Sequence, residues 1–146
     1  MNLTLAILKP DTVAAGNAGK VLAHLEGKGF TIRGLRVLHL TPAQAEAFYA
    51  VHRERPFFGS LVTFMTEGPV VPVALERADG ADPVPALREV MGATDVAKAA
   101  DGTVRKLFGT SIERNAIHGS DSAENARIEL GFFFPQFLEQ RLDVRL

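Results

Sequence analysis

A chain of 146 residues, 47% of them hydrophobic, can bury one core without disulfides or metal staples, so a single domain over residues 1–146 is expected. Sixteen Lys and Arg against 17 Asp and Glu give a formal net charge of −1, which excludes a general field for nucleic acid or a membrane surface. The absence of cysteine excludes thiol catalysis, cysteine-ligated metals and disulfide scaffolding, and fits a reducing compartment.

The N-terminal residues Asn2-Leu3-Thr4-Leu5 show no basic region followed by a long apolar run, and no stretch approaches membrane-spanning length, so a soluble cytoplasmic protein is expected. Leu3 to Leu8 reads as a buried strand stopped at Lys9-Pro10. Gly16 and Gly19 bracket a turn, and Val21, Leu22 and Leu25 then recur at helical spacing until Gly27 and Gly29. Ile32 to Leu40 reads as a strand. Thr41-Pro42-Ala43-Gln44 is a helix start with a capping-box threonine and glutamine, and Arg55-Pro56 ends that helix.

Phe57 to Met65 predicts a short helix. Val70 to Leu75 predicts a strand in which Pro72, lacking a ladder donor, argues for an edge or a bulge. A loop follows from Glu76, and Asp82-Pro83 restarts a helix carrying Leu87, Val90 and Met91. From Ala93 to Ile117 the periodicity is poor, which predicts loop with one or two helical turns. A short strand at Ala116 to His118 and a helix from Asp121 to about Phe134 complete the chain, with Pro135 as its stop. The order predicts an α+β fold: a ferredoxin-like βαββαβ sandwich with a four-stranded antiparallel sheet covered by helices.

The segment Asn115-Ala116-Ile117-His118-Gly119-Ser120-Asp121-Ser122 places an imidazole just before the last helix. Ser120 or Asp121 can cap that helix, and Asp121 with Glu124 has capping-box spacing. Free N–H groups at a helix start bind anions, so His118 beside them suggests phosphate chemistry. Lys9, Arg88, Arg105, Thr94 and Asn115 supply the ammonium, guanidinium, hydroxyl and amide donors that a polyphosphate needs, although each alone is most simply a surface residue. Glu129 is either a solvated helix carboxylate or a group that orients His118 from behind, through Ser120. Phe57 and Phe58 are adjacent and cannot share a helical face; one packs in the core, and an exposed ring can stack on a nucleobase. His24, His39, His52 and His118 lack metal-ligand spacing, and neither G-x-x-x-x-G-K-[ST] nor G-x-G-x-x-G is present.

Together these stretches resemble the nucleoside diphosphate kinase family across almost the whole chain. The most specific part is Asn115-Ala116-Ile117-His118-Gly119-Ser120-Asp121, similar to that family's N-x-x-H-G-S-D. Matches also occur at Ala6-Ile7-Leu8-Lys9-Pro10-Asp11, Phe48-Tyr49-Ala50-Val51-His52, Arg55-Pro56-Phe57-Phe58, Phe64 to Val70, and Met91-Gly92-Ala93-Thr94. The resemblance implies ping-pong transfer of a γ-phosphoryl group from a nucleoside triphosphate such as ATP, with His118 phosphorylated. It implies that Lys9 and Asn115 contact the ribose side, that Arg88, Thr94 and Arg105 hold phosphates, and that Phe57 stacks on the base. Tyr49, Ser120 and Glu129 would support His118. Magnesium (Mg2+) would arrive on the nucleotide phosphates, with no protein metal cage. The expected partners are nucleoside di- and triphosphates and further copies of the chain, as a dimer or as a tetramer or hexamer of dimers, with no membrane and no specific nucleic acid.

The departures from the family pattern are a longer 77–83 loop before the helix of Arg88, Pro72 within a strand, Val96 where proline is common, and Leu107 where aspartate is common. A regulatory nucleotide-binding module is the alternative from another class; the complete set around His118 argues against it.

Overall fold

The computed structural model describes residues 2–139. Strand β1 (Thr4–Leu8) is buried at every position, as an all-apolar central strand should be. Helix α1 (Pro10–Ala14) follows at once, a helix the sequence reading did not foresee: Lys9 is extended, Pro10 opens the first turn, and the Thr12 and Val13 N–H groups donate to the Lys9 carbonyl. Proline at Pro10 therefore starts a helix as well as stopping a strand. Helix α2 (Ala18–Gly27) buries Val21 and Leu25. Strand β2 (Phe30–Leu35) is shorter than predicted and continues only as an isolated Leu38–Val70 bridge.

Helix α3 (Pro42–Phe48) has both capping-box bonds: the Gln44 N–H donates to Thr41 Oγ1 at 3.1 Å, and the Thr41 N–H donates to Gln44 Oε1 at 2.9 Å. It stops at Phe48, before the predicted Arg55-Pro56 break, and tightens into a 3₁₀ turn at Ala50–His52. Tyr49 turns into the core there while Val51 is 82% exposed, so no apolar face remains to extend the helix. Helix α4 (Phe58–Met65), strand β3 (Val71–Arg77) and helix α5 (Pro83–Met91) come next; Asp82 caps α5 by accepting the Val84 N–H. The irregular 92–116 segment holds a 3₁₀ turn (Val96–Lys98) and helix α6 (Val104–Phe108). Strand β4 (Ile117–Gly119), helix α7 (Ala123–Phe133) and helix α8 (Gln136–Glu139) follow.

The sheet order is β2-β3-β1-β4 and every pairing is antiparallel, the topology expected of a ferredoxin-like sandwich. Helices cover both faces. Leu5 and Ile7 of β1 pack with Ala45, Phe64, Met65, Leu130 and Phe133 on one side. Ala6 and Leu8 pack with Val21, Leu25, Leu87, Met91, Val104 and Ile117 on the other. The period-two alternation of β1 thus divides the interior into two cores.

Pro72 is not at an edge, because β3 lies between β2 and β1, with Pro72 opposite Ile7. Its carbonyl accepts the Arg36 N–H at 3.1 Å, so its missing donor faces the same way, just past the end of β2. The irregularity of register sits on β2 instead, between Ile32 and Gly34. The N-cap of α7 is Ser122, which accepts the Asn125 N–H; neither Ser120 nor Asp121 caps it, and no Asp121–Glu124 box forms. Ser120 is fully buried and its hydroxyl is used elsewhere. Among the described residues no helix is long and apolar enough to cross a membrane.

Replacing Thr41 with alanine removes one side of the α3 capping box and should lower stability by about 1 kcal/mol. A urea titration should show an earlier midpoint at unchanged m-value.

Candidate active site

His118 sits at the centre of β4, opposite Ile7 of β1, and so projects to the face carrying α3 and α7. Three groups surround it there. Phe48 approaches edge-on at 5.5 Å between ring centroids, and Tyr49 edge-on at 6.2 Å. Glu129 of α7 places Oε1 at 2.9 Å from His118 Nε2, and the Ser120 hydroxyl donates to the same Oε1 at 2.8 Å. An ionised carboxylate can only accept, so Nε2 carries the ring proton and Nδ1 of the neutral imidazole carries the lone pair. Glu129 thereby fixes the tautomer, and Ser120 fixes Glu129.

His118 and Glu129 line an open cleft of about 760 Å³. The cleft walls include every other residue singled out from the sequence except Ser120: Lys9, Tyr49, Phe57, Arg88, Thr94, Arg105 and Asn115. Ser120 lies behind the wall, against the Leu5 carbonyl and Glu129. Lys9 follows the last residue of β1 and is 7% exposed; its Nζ donates to Asn115 Oδ1 at 2.8 Å. The Asn115 amide in turn donates to the carbonyls of Ile112 and Thr94 at 2.8 and 3.3 Å, tying the loop to the floor. Arg105 of α6 donates to the Gly92 and Ile117 carbonyls, at 3.1 and 2.8 Å, and its buried Nε has no partner. Arg88 of α5 donates to the Gly119 carbonyl at 3.2 Å, so the longer 77–83 loop leaves it in the cleft. Phe57 is 48% exposed, whereas Phe58 packs against the core, the division expected of adjacent rings.

Burial and mutual repulsion tune these groups. Burial, and secondarily the Arg105 cation, lower the Lys9 ammonium to about 8. Burial, then Arg88, lower the Arg105 guanidinium to about 10. The buried Tyr49 phenol has no hydrogen-bond partner, and burial with the nearby Glu129 charge raises its pKa, so it stays neutral. Asp121 at the rim is held below the usual carboxylate range, first by the Asn125 amide, with Arg88 contributing.

Some cleft residues were not singled out by the sequence reading. His52 stacks near Tyr49 at 6.5 Å and lies 5.4 Å from Phe57, so it is not an ordinary surface histidine. Leu61, Ile112 and Glu113 also line the cleft, and Glu113 accepts the Ser60 hydroxyl at 2.8 Å. The sequence signal for Leu61 was its spacing one turn beyond Phe57; Ile112 and Glu113 lie in an irregular segment with no periodicity to read.

The fold and the site together define a phosphate-handling α+β enzyme built around one oriented imidazole. The family model described as nucleoside diphosphate kinase matches residues 2–138. A relative named nucleoside diphosphate kinase from Anaeromyxobacter sp. (strain Fw109-5) is 55% identical over 133 residues, covering 91% of this chain and 89% of its own. The Aquifex aeolicus nucleoside diphosphate kinase structure superposes with a TM-score of 0.86 at 46% identity, covering 91% of this chain and 94% of its own. A Halobacterium salinarum nucleoside diphosphate kinase in complex with CDP gives 0.83 at 37% identity, covering 90% of this chain and 86% of its own. The chain belongs to the nucleoside diphosphate kinase family and is a phosphotransferase.

The lowered Lys9 pKa sets a pH dependence with two opposite signs. Below about 8 the ammonium is charged and would attract an anionic nucleotide; above it the charge is lost. The unfolded chain holds that proton up to 10.5, so between about 8 and 10.5 the same group makes stability rise with pH. Accordingly kcat/KM for nucleotide should decline above about pH 8 without loss of fold. A Lys9→Met variant should be slower throughout and lack that limb; if the limb persists there, another group causes it.

Proposed function

We propose that this chain catalyses reversible transfer of the γ-phosphoryl group from a nucleoside triphosphate such as ATP to nucleoside and deoxynucleoside diphosphates, through a phosphohistidine at His118. The observation that carries the reading is the Ser120–Glu129–His118 relay, at 2.8 and 2.9 Å, in the wall of a cleft lined by Lys9, Arg88 and Arg105. Nδ1 of His118 attacks the γ-phosphorus as the bond to the bridging β-phosphate oxygen breaks, and the diphosphate leaves. The Nε2 proton stays facing Glu129, which offsets the positive charge the ring acquires, so no proton need move. The second half-reaction reverses these bonds with a different diphosphate.

Arg88, Arg105 and Thr94 bind phosphate oxygens in this reading, and the unpartnered Nε–H of Arg105 is a donor available for one. Lys9 and Asn115 meet the sugar side, and Phe57 stacks on the base. Stacking on a ring face accepts every base, which supports broad nucleotide use.

The donor set fits magnesium carried by the nucleotide. Among the described residues no group of three or more His, Cys, Asp and Glu could cage a metal. Of the cleft carboxylates, Glu129 is engaged by His118 and Ser120, Glu113 by Ser60, and Asp121 by the Asn125 amide through one oxygen; Asp121 at the rim would meet a phosphate-bound ion through the other. When bound, the ion would supply charge neutralisation on the nucleotide phosphates.

The family's fold on residues 2–138 supports one domain over the chain. Exposed Leu35 and Val37, on and just past the edge strand β2, support a homo-oligomer, a dimer or a tetramer or hexamer of dimers, and exposed Leu107 offers a further contact. The cysteine-free composition supports a cytoplasmic setting.

Incubation with γ-labelled ATP and magnesium should yield an acid-labile, alkali-stable phosphoprotein, and His118→Ala should abolish both the label and turnover. Normal turnover by that variant would sink the reading. Phe57→Ala should raise KM for each nucleoside diphosphate by a similar factor, about tenfold for a stacking loss of about 1.4 kcal/mol, with kcat little changed. A KM change confined to one base would instead indicate recognition of its edge.

A further inference from the structure

Ala116 is the non-glycine residue with left-handed backbone among the described residues, at φ +75°, and it is fully buried. The Ile117 N–H donates to the Asn115 carbonyl at 2.9 Å, which closes a three-residue turn around it. A residue with a Cβ is strained in that turn and stays there only where its surroundings enforce it.

The enforcement comes from one short segment at the other end of the chain. The Ala116 N–H donates to Asp11 Oδ2 at 3.0 Å. The Ala116 carbonyl accepts two bonds, from the Lys9 N–H at 2.9 Å and from the Thr12 hydroxyl at 2.8 Å. Lys9 Nζ adds a fourth link to the same turn through Asn115 Oδ1. The β1–β4 ladder stops at the Leu8–Ile117 pair, so the Lys9 N–H is the last strand bond to Ala116 and the Ala116 N–H is left to Asp11. Thr12 is buried, and Asp11 Oδ1 is buried without a partner, so the Ala116 N–H is the hydrogen bond this carboxylate makes there. Neither Asp11 nor Thr12 lines the cleft.

We propose that Asp11 and Thr12 are positioning residues for phosphoryl transfer: they hold Ala116 in its strained turn and so set the poses of Asn115 before it and His118 after it. This rests on the reading of His118 as the phosphoryl acceptor. Relaxed to an ordinary φ, the turn rotates the chain between Asn115 and His118, and the imidazole leaves its line with the γ-phosphorus. The device is conformational, so glycine, which adopts positive φ without strain, substitutes for it.

The test is a rescue, read in the rate of His118 phosphorylation by excess ATP and magnesium in rapid-quench experiments on the full chain. Asp11→Ala should slow that rate on the order of ten- to a hundredfold, as expected of a misplaced nucleophile. Asp11→Asn, whose amide oxygen still accepts the Ala116 N–H, should retain most of the rate. Adding Ala116→Gly to Asp11→Ala should recover most of what was lost, with the four corners of the cycle giving the coupling. Wild-type phosphorylation by folded Asp11→Ala overturns the proposal, as does a folded double variant no faster than Asp11→Ala. Should Asp11→Ala fail to fold, the isosteric Thr12→Val pair with and without Ala116→Gly replaces it: slowing and glycine rescue are expected, and an unslowed Thr12→Val overturns the proposal. Failure of the underlying reading looks different, since the wild-type protein would then carry no acid-labile phosphate at His118.

Discussion

Three residue pairs between β1 and β4, Ala6–Gly119, Ile7–His118 and Leu8–Ile117, decide whether this molecule has a site at all. Side chains alternate faces along a strand, so the register that puts His118 opposite Ile7 also puts it among Phe48, Tyr49 and Glu129. A one-residue slip would turn the imidazole to the other face, among Leu87 and Met91 and away from Glu129. The same seam places the cations. The Ala116 carbonyl faces Lys9 across the pairing, so the next carbonyl, Ile117, faces outward, and so does Gly119. Arg105 and Arg88 donate to these two carbonyls. A free sheet edge thus becomes the ruler that spaces two guanidiniums along the cleft, and its unpaired acceptors are satisfied by the same bonds.

Gathering Lys9, Arg88 and Arg105 works against their own solvation and against each other. Burial and Arg105 lower Lys9, and burial and Arg88 lower Arg105. The chain as a whole carries a net charge of −1, so nothing global compensates this local cluster. A bound polyphosphate would supply the compensating charge, and the groups are already oriented before one arrives. Donors fixed in place need no reorganisation as charge shifts along the phosphates, which is what phosphoryl transfer chiefly asks of a protein. Ala116 belongs to the same economy of strain: its positive φ, worth on the order of 1–3 kcal/mol, persists because the fold around it is stable enough to hold it.

Local signals were legible in the sequence wherever one element's own residues decide its structure. The Thr41–Gln44 capping box, the Asp82–Pro83 helix start and the Pro135 stop all appear as written. The division between Phe57 and Phe58 followed from helical geometry alone. What escaped depends on partners distant in sequence. Pro72 reads as an edge residue until its missing donor is seen to face the spot where β2 has already ended. Ser122 beats Asp121 to the α7 cap because the chain leaves β4 with Ser120 turned inward to Glu129. The relevance of His52 lies in rings on either side of it, Tyr49 and Phe57, that only the fold brings together. Asp11 lay within a recognised stretch, but its partner is 105 residues away and is a backbone N–H, which no residue pattern displays.

The two ends of the cleft are built with different stiffness, and the difference matches the work at each. Around His118 the polar side chains are buried or braced: Asn115, Lys9 and Arg105 are 2%, 7% and 6% exposed, and Glu129 is held by Ser120. Phe57 and Ile112, also in the cleft wall, are 48% and 61% exposed and present apolar side chains without fixed donors for a base edge. Rigid, desolvated groups discriminate sharply between charge distributions, whereas an exposed ring binds any flat partner with similar strength. Interaction energy is thereby concentrated on the atoms that change in the reaction, where differential binding accelerates the step, and little is committed to the base, where tight binding would only slow exchange of one diphosphate for the next. An enzyme that must release one nucleotide and accept another between its half-reactions gains from that asymmetry, and the buried Asn115–Lys9 bond marks where the stiff half begins.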